Sequence, residues 1–285
     1  MTRRQLVEQI FSKRSYLCVG LDTDITKIPK HLLSLADPVF EFNKAVIDAT
    51  KDLCVAYKIN TAFYEAMGVK GWETMEKTAR YIGNDHFKIA DAKRGDIGNT
   101  SSQYAKAFFD TMPFDAITVA PYMGEDSVKP FLEYKGKWAI ILGLTSNDGA
   151  KDFELQQVIN NIEQFEEEVH ITKHQTNYLY ETVLKKSSQW GTTDNIMFVI
   201  GATQANEFIN IRKLTPDHFY LVPGVGAQGG SLKEISEKAM SKDDCGLLVN
   251  VSRAIIYASG GEDFKEKARK VAHEYQHEMK QYLKQ

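Results

Sequence analysis

Eight short apolar, β-branched runs recur along the chain with amphipathic, helix-like stretches between them, the pattern of a parallel sheet assembled from βα units. They are YLCVGLD from Tyr16, VAYKIN from Val55, FKIADAK from Phe87, AITVA from Ala116, WAIILGL from Trp138, IMFVIGA from Ile196, FYLVPGV from Phe219 and GLLVNVS from Gly246. Runs this continuously apolar predict strands covered on both faces, as a parallel sheet between core and helices requires. Between them, PVFEFNKAVIDATKDL predicts a helix opening at Pro38 with Asp37 as its N-cap, and TQANEFINIRKL one opening at Thr203. Phe264, Ala268, Val271, Ala272 and Tyr275 stand at helical spacing and predict a final helix over 262–284. The economical reading is an α/β fold of the TIM-barrel type, a closed (β/α)8 barrel occupying 1–285 as a single domain. One region breaks the rhythm: 151–172, rich in Glu and Gln, reads as an amphipathic, helical insertion on the rim after the fifth strand. There is no low-complexity tract, linker or short internal repeat.

Composition narrows the class. With 285 residues, 43% hydrophobic and 26% charged, the chain can bury a sizeable core. Lys plus Arg (35) against Asp plus Glu (38) leaves a formal charge of -3, so neither a nucleic-acid surface nor an anionic-membrane surface is expected. No apolar run approaches membrane-spanning length, and MTRRQLVEQIFSKRS lacks the unbroken apolar core of a signal peptide. Cys18, Cys54 and Cys245 each sit beside or within an apolar run and read as reduced, structural thiols. A cytoplasmic protein is the expectation.

In such barrels the chemistry lies at the C-terminal ends of strands and in the loops that follow. Polar residues do concentrate there: Asp22 after the first strand, Lys58 and Asn60 at the second, Asp91 and Lys93 at the third. Strand alternation places Lys58 with Asn60, and Asp91 with Lys93, on one face, so both pairs can point into one cavity. Singly, any of them fits a solvated strand end; recurrence at consecutive ends points to a site. On the far side, Gly224, Gly226, Gly229 and Gly230 in PGVGAQGG let backbone approach an anion, and Arg253 after the eighth strand offers a planar donor fork for phosphate. No metal site is expected, because Lys58 and Lys93 put two cations where a divalent ion would sit. The seven His residues read as scattered, with no helical pair at ligand spacing, and His31, His86 and His218 read as surface or loop residues. PGVGAQGG lacks the acidic ribose reader of a dinucleotide site.

The segment DAKRGDIGNT, 91–100, resembles the D-x-K-x-x-D-I signature of the orotidine 5'-phosphate decarboxylase family, and its wording K-R-G-D-I-G-N-T is similar to that family's longer bacterial branch. TSNDGA, PGVGAQGG and SRAI, after the fifth, seventh and eighth strands, are similar to the family's segments in the same order, so the resemblance covers nearly the whole chain. It implies decarboxylation of orotidine 5'-monophosphate without any cofactor, by Lys58, Asp91, Lys93 and Asp96, with Lys93 as proton donor. It implies substrate contacts from Asp22, Asn60, Pro223, Gln228, Gly229, Ser252 and Arg253, and from Ser146 or its neighbour Thr145. It further implies a homodimer in which Asp96, Ile97 and Thr100 reach the partner's site. Two other readings stay open: a magnesium-dependent sugar-phosphate decarboxylase of the same superfamily, and a non-catalytic barrel that binds a phosphate ligand.

Overall fold

The structure, a computed structural model, describes residues 1–166, 169–226 and 229–283, and of 160–175 the backbone alone. Eight parallel strands close a barrel: β1 Leu17–Gly20, β2 Ala56–Asn60, β3 Phe87–Arg94, β4 Ala116–Val119, β5 Trp138–Leu144, β8 Ile196–Ile200, β9 Phe219–Pro223 and β10 Leu247–Val251. Their order around the barrel is β1-β10-β9-β8-β5-β4-β3-β2. All eight predicted runs are strands of this barrel. Because the core fills one face and helices cover the other, β1, β4, β8 and β10 are buried along their whole length.

The helices follow local signals. Asp37 caps Pro38–Thr50 by accepting from the Phe40 amide, with Pro38 supplying the preset φ of the first turn. The last helix runs Phe264–Tyr282 and buries Phe264, Ala268 and Ala272. After β8 the chain differs from expectation: a 3-10 turn, Ala202–Gln204, precedes a helix that begins only at Phe208. Ala202 is buried against Gly230, where an added Cβ would collide with it.

The insertion also differs from expectation. Residues 151–172 do not form a helical insertion; β6 Gln157–Glu166 and β7 Val169–Tyr178 pair antiparallel, from Gln157 opposite Tyr178 to Glu166 opposite Val169. Val158, Ile159, Ile162, Val169, Ile171, Thr172 and Thr176 explain the outcome, since β-branched side chains favour strands over helices. The hairpin's base is tied to the barrel where the Leu179 and Tyr180 amides donate to the Gln156 and Glu154 carbonyls.

At the N-terminal mouth, Phe87, Trp138 and Phe219 open β3, β5 and β9, alternate strands in the barrel order, and their rings meet inside. Trp138 stands edge-on to Phe87 at 5.9 Å and to Phe219 at 6.2 Å between ring centres. This is one layer of a packed barrel interior, each fully buried ring contributing roughly 1.5–3 kcal/mol. Sealing that end leaves the opposite mouth for a site.

His86 and His218 do lie in loops, but at this sealed end, and both are buried rather than on the surface. Neither His218 ring nitrogen has a hydrogen-bond partner among the described residues. Burial, then the nearby Arg3 and Arg212, pushes His218 down to about 4. An unfolded His binds a proton near pH 6.5, so between there and pH 4 the unfolded chain takes up a proton that the native one refuses. Stability should therefore fall as pH drops through this window, by on the order of 3 kcal/mol from this group, and level off below it. Urea midpoints measured from pH 7 to pH 4 should show the slope, and His218→Gln should flatten it.

Candidate active site

At the C-terminal mouth a cavity of about 260 Å³ gathers residues from almost every strand end. Asp22, Lys58, Asn60, Asp91 and Lys93 line one side; Pro223, Gly224, Ser252 and Arg253 line the other; Ser146 lies between, on the loop after β5. Ten residues named from the sequence thus meet in one place, together with Thr145, the alternative to Ser146. Asp96, Ile97 and Thr100 do not join them: they sit on the rim after β3, Ile97 61% exposed, and Asp96 accepts the Ile97 amide at 2.8 Å. Gly229, in the left-handed region at φ 87°, is close in sequence to the cavity wall but not part of it. Gln228 lies outside the described residues.

The electrostatic centre is a chain of alternating charges. Lys58 Nζ donates to Asp22 Oδ1 at 3.1 Å and to Asp91 Oδ2 at 2.9 Å, and Lys93 Nζ donates to Asp91 Oδ1 at 2.6 Å. The Lys58 side chain is 4% exposed and that of Asp91 11%, whereas that of Lys93 is 53% exposed, open to the cavity. Burial alone would push Lys58 down, but Asp91 and Asp22 outweigh it and hold the ammonium above its usual range. Burial alone would likewise raise Asp91; Lys58 and then Lys93 outweigh it and hold the carboxyl well below the carboxylate range. By linkage the depressed Asp91 stabilises the fold above pH ~4 and the raised Lys58 does so below pH ~10, the two unfolded values, so the pair is intact across that whole interval.

Local structure aims these groups. The ladder between β3 and β4 slips: Ala90 pairs with Ile117, but Arg94 pairs with Val119, so β3 advances by four residues while β4 advances by two. In this bulge Lys93 adopts φ 49°, a left-handed conformation that costs a side-chain-bearing residue about 1–2 kcal/mol. Simple alternation foresaw the face but not the strain. The Asp22 loop is held from below, Tyr64 Oη donating to the Leu21 carbonyl at 3.0 Å and Tyr257 Oη to the Asp22 carbonyl at 3.1 Å. On the other side, the Thr145 amide and hydroxyl donate to the Glu154 carboxylate at 2.6 and 2.8 Å, and Gln204 donates to the Thr145 carbonyl at 3.2 Å. Thr145, which lines the cavity, is thus held from behind.

Gly224 and Gly226, at φ 99° and 74°, turn the β9 loop in a conformation that a side chain would resist. Arg253 lines the cavity from the adjacent strand end, and a guanidinium beside a glycine-bearing loop is chemically suited to an anion. Thr118, Asn147 and Asn250 also line the cavity and were missed in the sequence. The signal for two of them was a lone polar residue inside an apolar strand, Thr118 in AITVA and Asn250 in GLLVNVS.

The expectation of no helical His pair is corrected: His273 and His277 stand four apart on Phe264–Tyr282, exposed, with ring centres 6.2 Å apart. They belong to the outer helix layer and line no part of this cavity. All three Cys are buried and free of disulfides, and burial pushes Cys54 up to about 11 and Cys245 up to about 12.

A closed parallel barrel whose C-terminal mouth brings a Lys-Asp-Lys chain, a glycine-bearing loop and an arginine into one cavity has the layout of a (β/α)8 enzyme site. The chain belongs to the orotidine 5'-phosphate decarboxylase / HUMPS family, whose model matches residues 15–271. It is 56% identical to an orotidine 5'-phosphate decarboxylase of Parabacteroides distasonis over 99% of this chain and 96% of that one. The identity is also 56% to the protein of that name in Flavobacterium johnsoniae, over 99% and 98%. The solved Leishmania donovani OMP decarboxylase superposes with a TM-score of 0.78 at 31% identity, covering 98% of this chain and 99% of that one.

Lys58→Met would leave Asp22 and Asp91 facing each other without the cation between them, and should cost about 3–5 kcal/mol. Adding Asp91→Asn should recover part of that loss. Urea denaturation of the two single variants and the double variant measures this coupling, and strict additivity would contradict a direct pair.

Proposed function

We propose that this protein converts orotidine 5'-monophosphate to uridine 5'-monophosphate and CO2, a step of de novo pyrimidine biosynthesis in the cytoplasm. The observation that carries the reading is the Lys58–Asp91–Lys93 chain standing across one cavity from Arg253 and the β9 loop. Heterolysis of the bond between C6 and the carboxylate leaves an electron pair in the plane of the pyrimidine ring, where the π system cannot delocalise it. Fixed charges must stabilise it instead, and charges already placed need not reorganise during the reaction. Lys93, the more open of the two ammonium groups, stabilises the developing carbanion and then delivers its proton to C6, recovering one from water afterwards. Asp91, kept ionised by Lys58, lies against the departing carboxylate, so repulsion is relieved as neutral CO2 forms. Asp22 and Lys58 take the ribose hydroxyls and Asn60 supports that side.

Ser146, or its neighbour Thr145, contacts the pyrimidine, and both line the cavity. Pro223, Gln228, Gly229, Ser252 and Arg253 take the phosphate, and binding energy gained there offsets the cost of closing the pocket. The reading treats the chain as one barrel domain with the β6–β7 hairpin as a rim insertion. It also takes the working form as a homodimer in which Asp96, Ile97 and Thr100 complete the neighbour's site. Their position outside their own cavity supports this, as do Ile97, Tyr122 and Met123, exposed apolar side chains on the loops after β3 and β4. Among the described residues no helix is long and apolar enough to cross a membrane.

Orotidylate absorbance followed in chelator-treated buffer tests the function. Turnover should persist with EDTA, and Lys93→Ala should lower it by about four orders of magnitude, the upper end for a positioned proton donor. Activity that required added magnesium would favour the sugar-phosphate decarboxylase instead, and binding without turnover a non-catalytic barrel. Complementation tests the dimer: Lys93→Ala and Asp96→Ala proteins, each impaired alone, should after subunit exchange regain about a quarter of wild-type activity, because half the dimers are mixed and each holds one intact site.

A further inference from the structure

Thr118 was not anticipated from the sequence and has no part in the mechanism above, yet its hydroxyl bridges the two residues that flank the reacting carbon. Its Oγ1 accepts the Lys93 amide at 2.9 Å and donates to Asp91 Oδ1 at 3.1 Å, the same carboxylate oxygen that receives the Lys93 ammonium at 2.6 Å. The residue is 1% exposed and still lines the cavity. It sits on β4 opposite the bulge, between the paired positions Ile117 and Val119, where β3 has slipped out of register and the Lys93 amide has left the strand ladder. A buried backbone donor without a partner is costly, so the hydroxyl takes the place that a carbonyl would fill in an unbroken ladder.

We infer that Thr118 is a positioning residue of the decarboxylation site, fixing the left-handed backbone of Lys93 and the rotation of the Asp91 carboxylate at once. One hydroxyl has one proton to give and lone pairs to receive, and both capacities are used here. Without it, Oδ1 loses the neutral donor that opposes its swing toward Lys58, and the Lys93 backbone loses the acceptor that holds φ at 49°. The Lys93 ammonium then spends less time at the position from which a proton reaches C6. The phosphate-holding half, built from β9 and β10, is untouched. The effect therefore falls on the chemical step rather than on binding.

The inference rests on the decarboxylase reading, and steady-state kinetics with orotidylate separates the two: an inactive wild type would sink that reading, whereas Thr118 is judged among variants of an active one. Thr118→Val keeps the shape and removes the hydroxyl; Thr118→Ala removes both; Thr118→Ser keeps the hydroxyl. Val and Ala should each lower kcat by about 30- to 100-fold, the scale of a sub-ångström to ångström misplacement. KM and the affinity for uridine 5'-monophosphate should stay within about threefold of wild type, as expected when uniform binding is unchanged. Ser should restore kcat to within about threefold of wild type, because it offers the same donor and acceptor. Product affinity also reports folding, so if the Val protein is misfolded the Ala protein decides. Val or Ala variants with unimpaired kcat, or a Ser variant as slow as Val, would overturn the inference.

Discussion

The rest of the structure depends on one buried cation. Lys58 is held at the end of β2 between carboxylates contributed from either side, Asp22 beyond β1 and Asp91 on β3. An ammonium in such a place is tolerable only because both partners are there, and they are there only when three neighbouring strands lie in register. The pair therefore reports barrel closure as well as serving the site. In the proposed mechanism it also presets the charge that a reaction through a localised carbanion demands, so the protein need not rearrange when the anion forms.

The two mouths of the barrel divide the work. One is filled by aromatic rings from alternate strands, with Trp138 between Phe87 and Phe219, and takes up the packing. The other is lined by polar groups whose loops are pinned from behind rather than left to wander. Tyr64 and Tyr257 hold the Asp22 turn, Glu154 and Gln204 hold Thr145, and Arg94 is anchored by Glu65 and lies over Tyr104 and Phe108. The turns that carry Asp22 and Thr145 are thus each backed by a second group that fixes them, the arrangement preorganisation requires. Glu154 adds a further point. It lies at the foot of the hairpin, so the inserted segment is joined to the β5 loop by a carboxylate as well as by the chain.

Legibility in the sequence followed the range of the interactions concerned. The eight strands, the Asp37 cap and the buried face of the last helix were readable because each rests on residues close along the chain. The charged strand ends were readable because alternation is local. The hairpin departs from the helical expectation because the β-branched residues of 158–176 outweigh the Glu and Gln among them. The His273–His277 pair is legible in the sequence as two histidines four residues apart. The late helix at Phe208 was not readable, since no capping side chain marks its start: Glu207 makes no side-chain cap hydrogen bond.

What the sequence by itself determined is the succession of apolar runs, and with it a barrel whose polar strand ends share one mouth. Periodicity and side-chain chemistry are properties of short segments, and they survive without a partner. Only the tertiary structure decided that β3 would slip against β4, that Lys93 would take a left-handed turn there, and that a threonine on the neighbouring strand would receive its amide. Register is settled between strands, by which hydrogen bonds can be satisfied once the barrel closes, and no single segment contains that information.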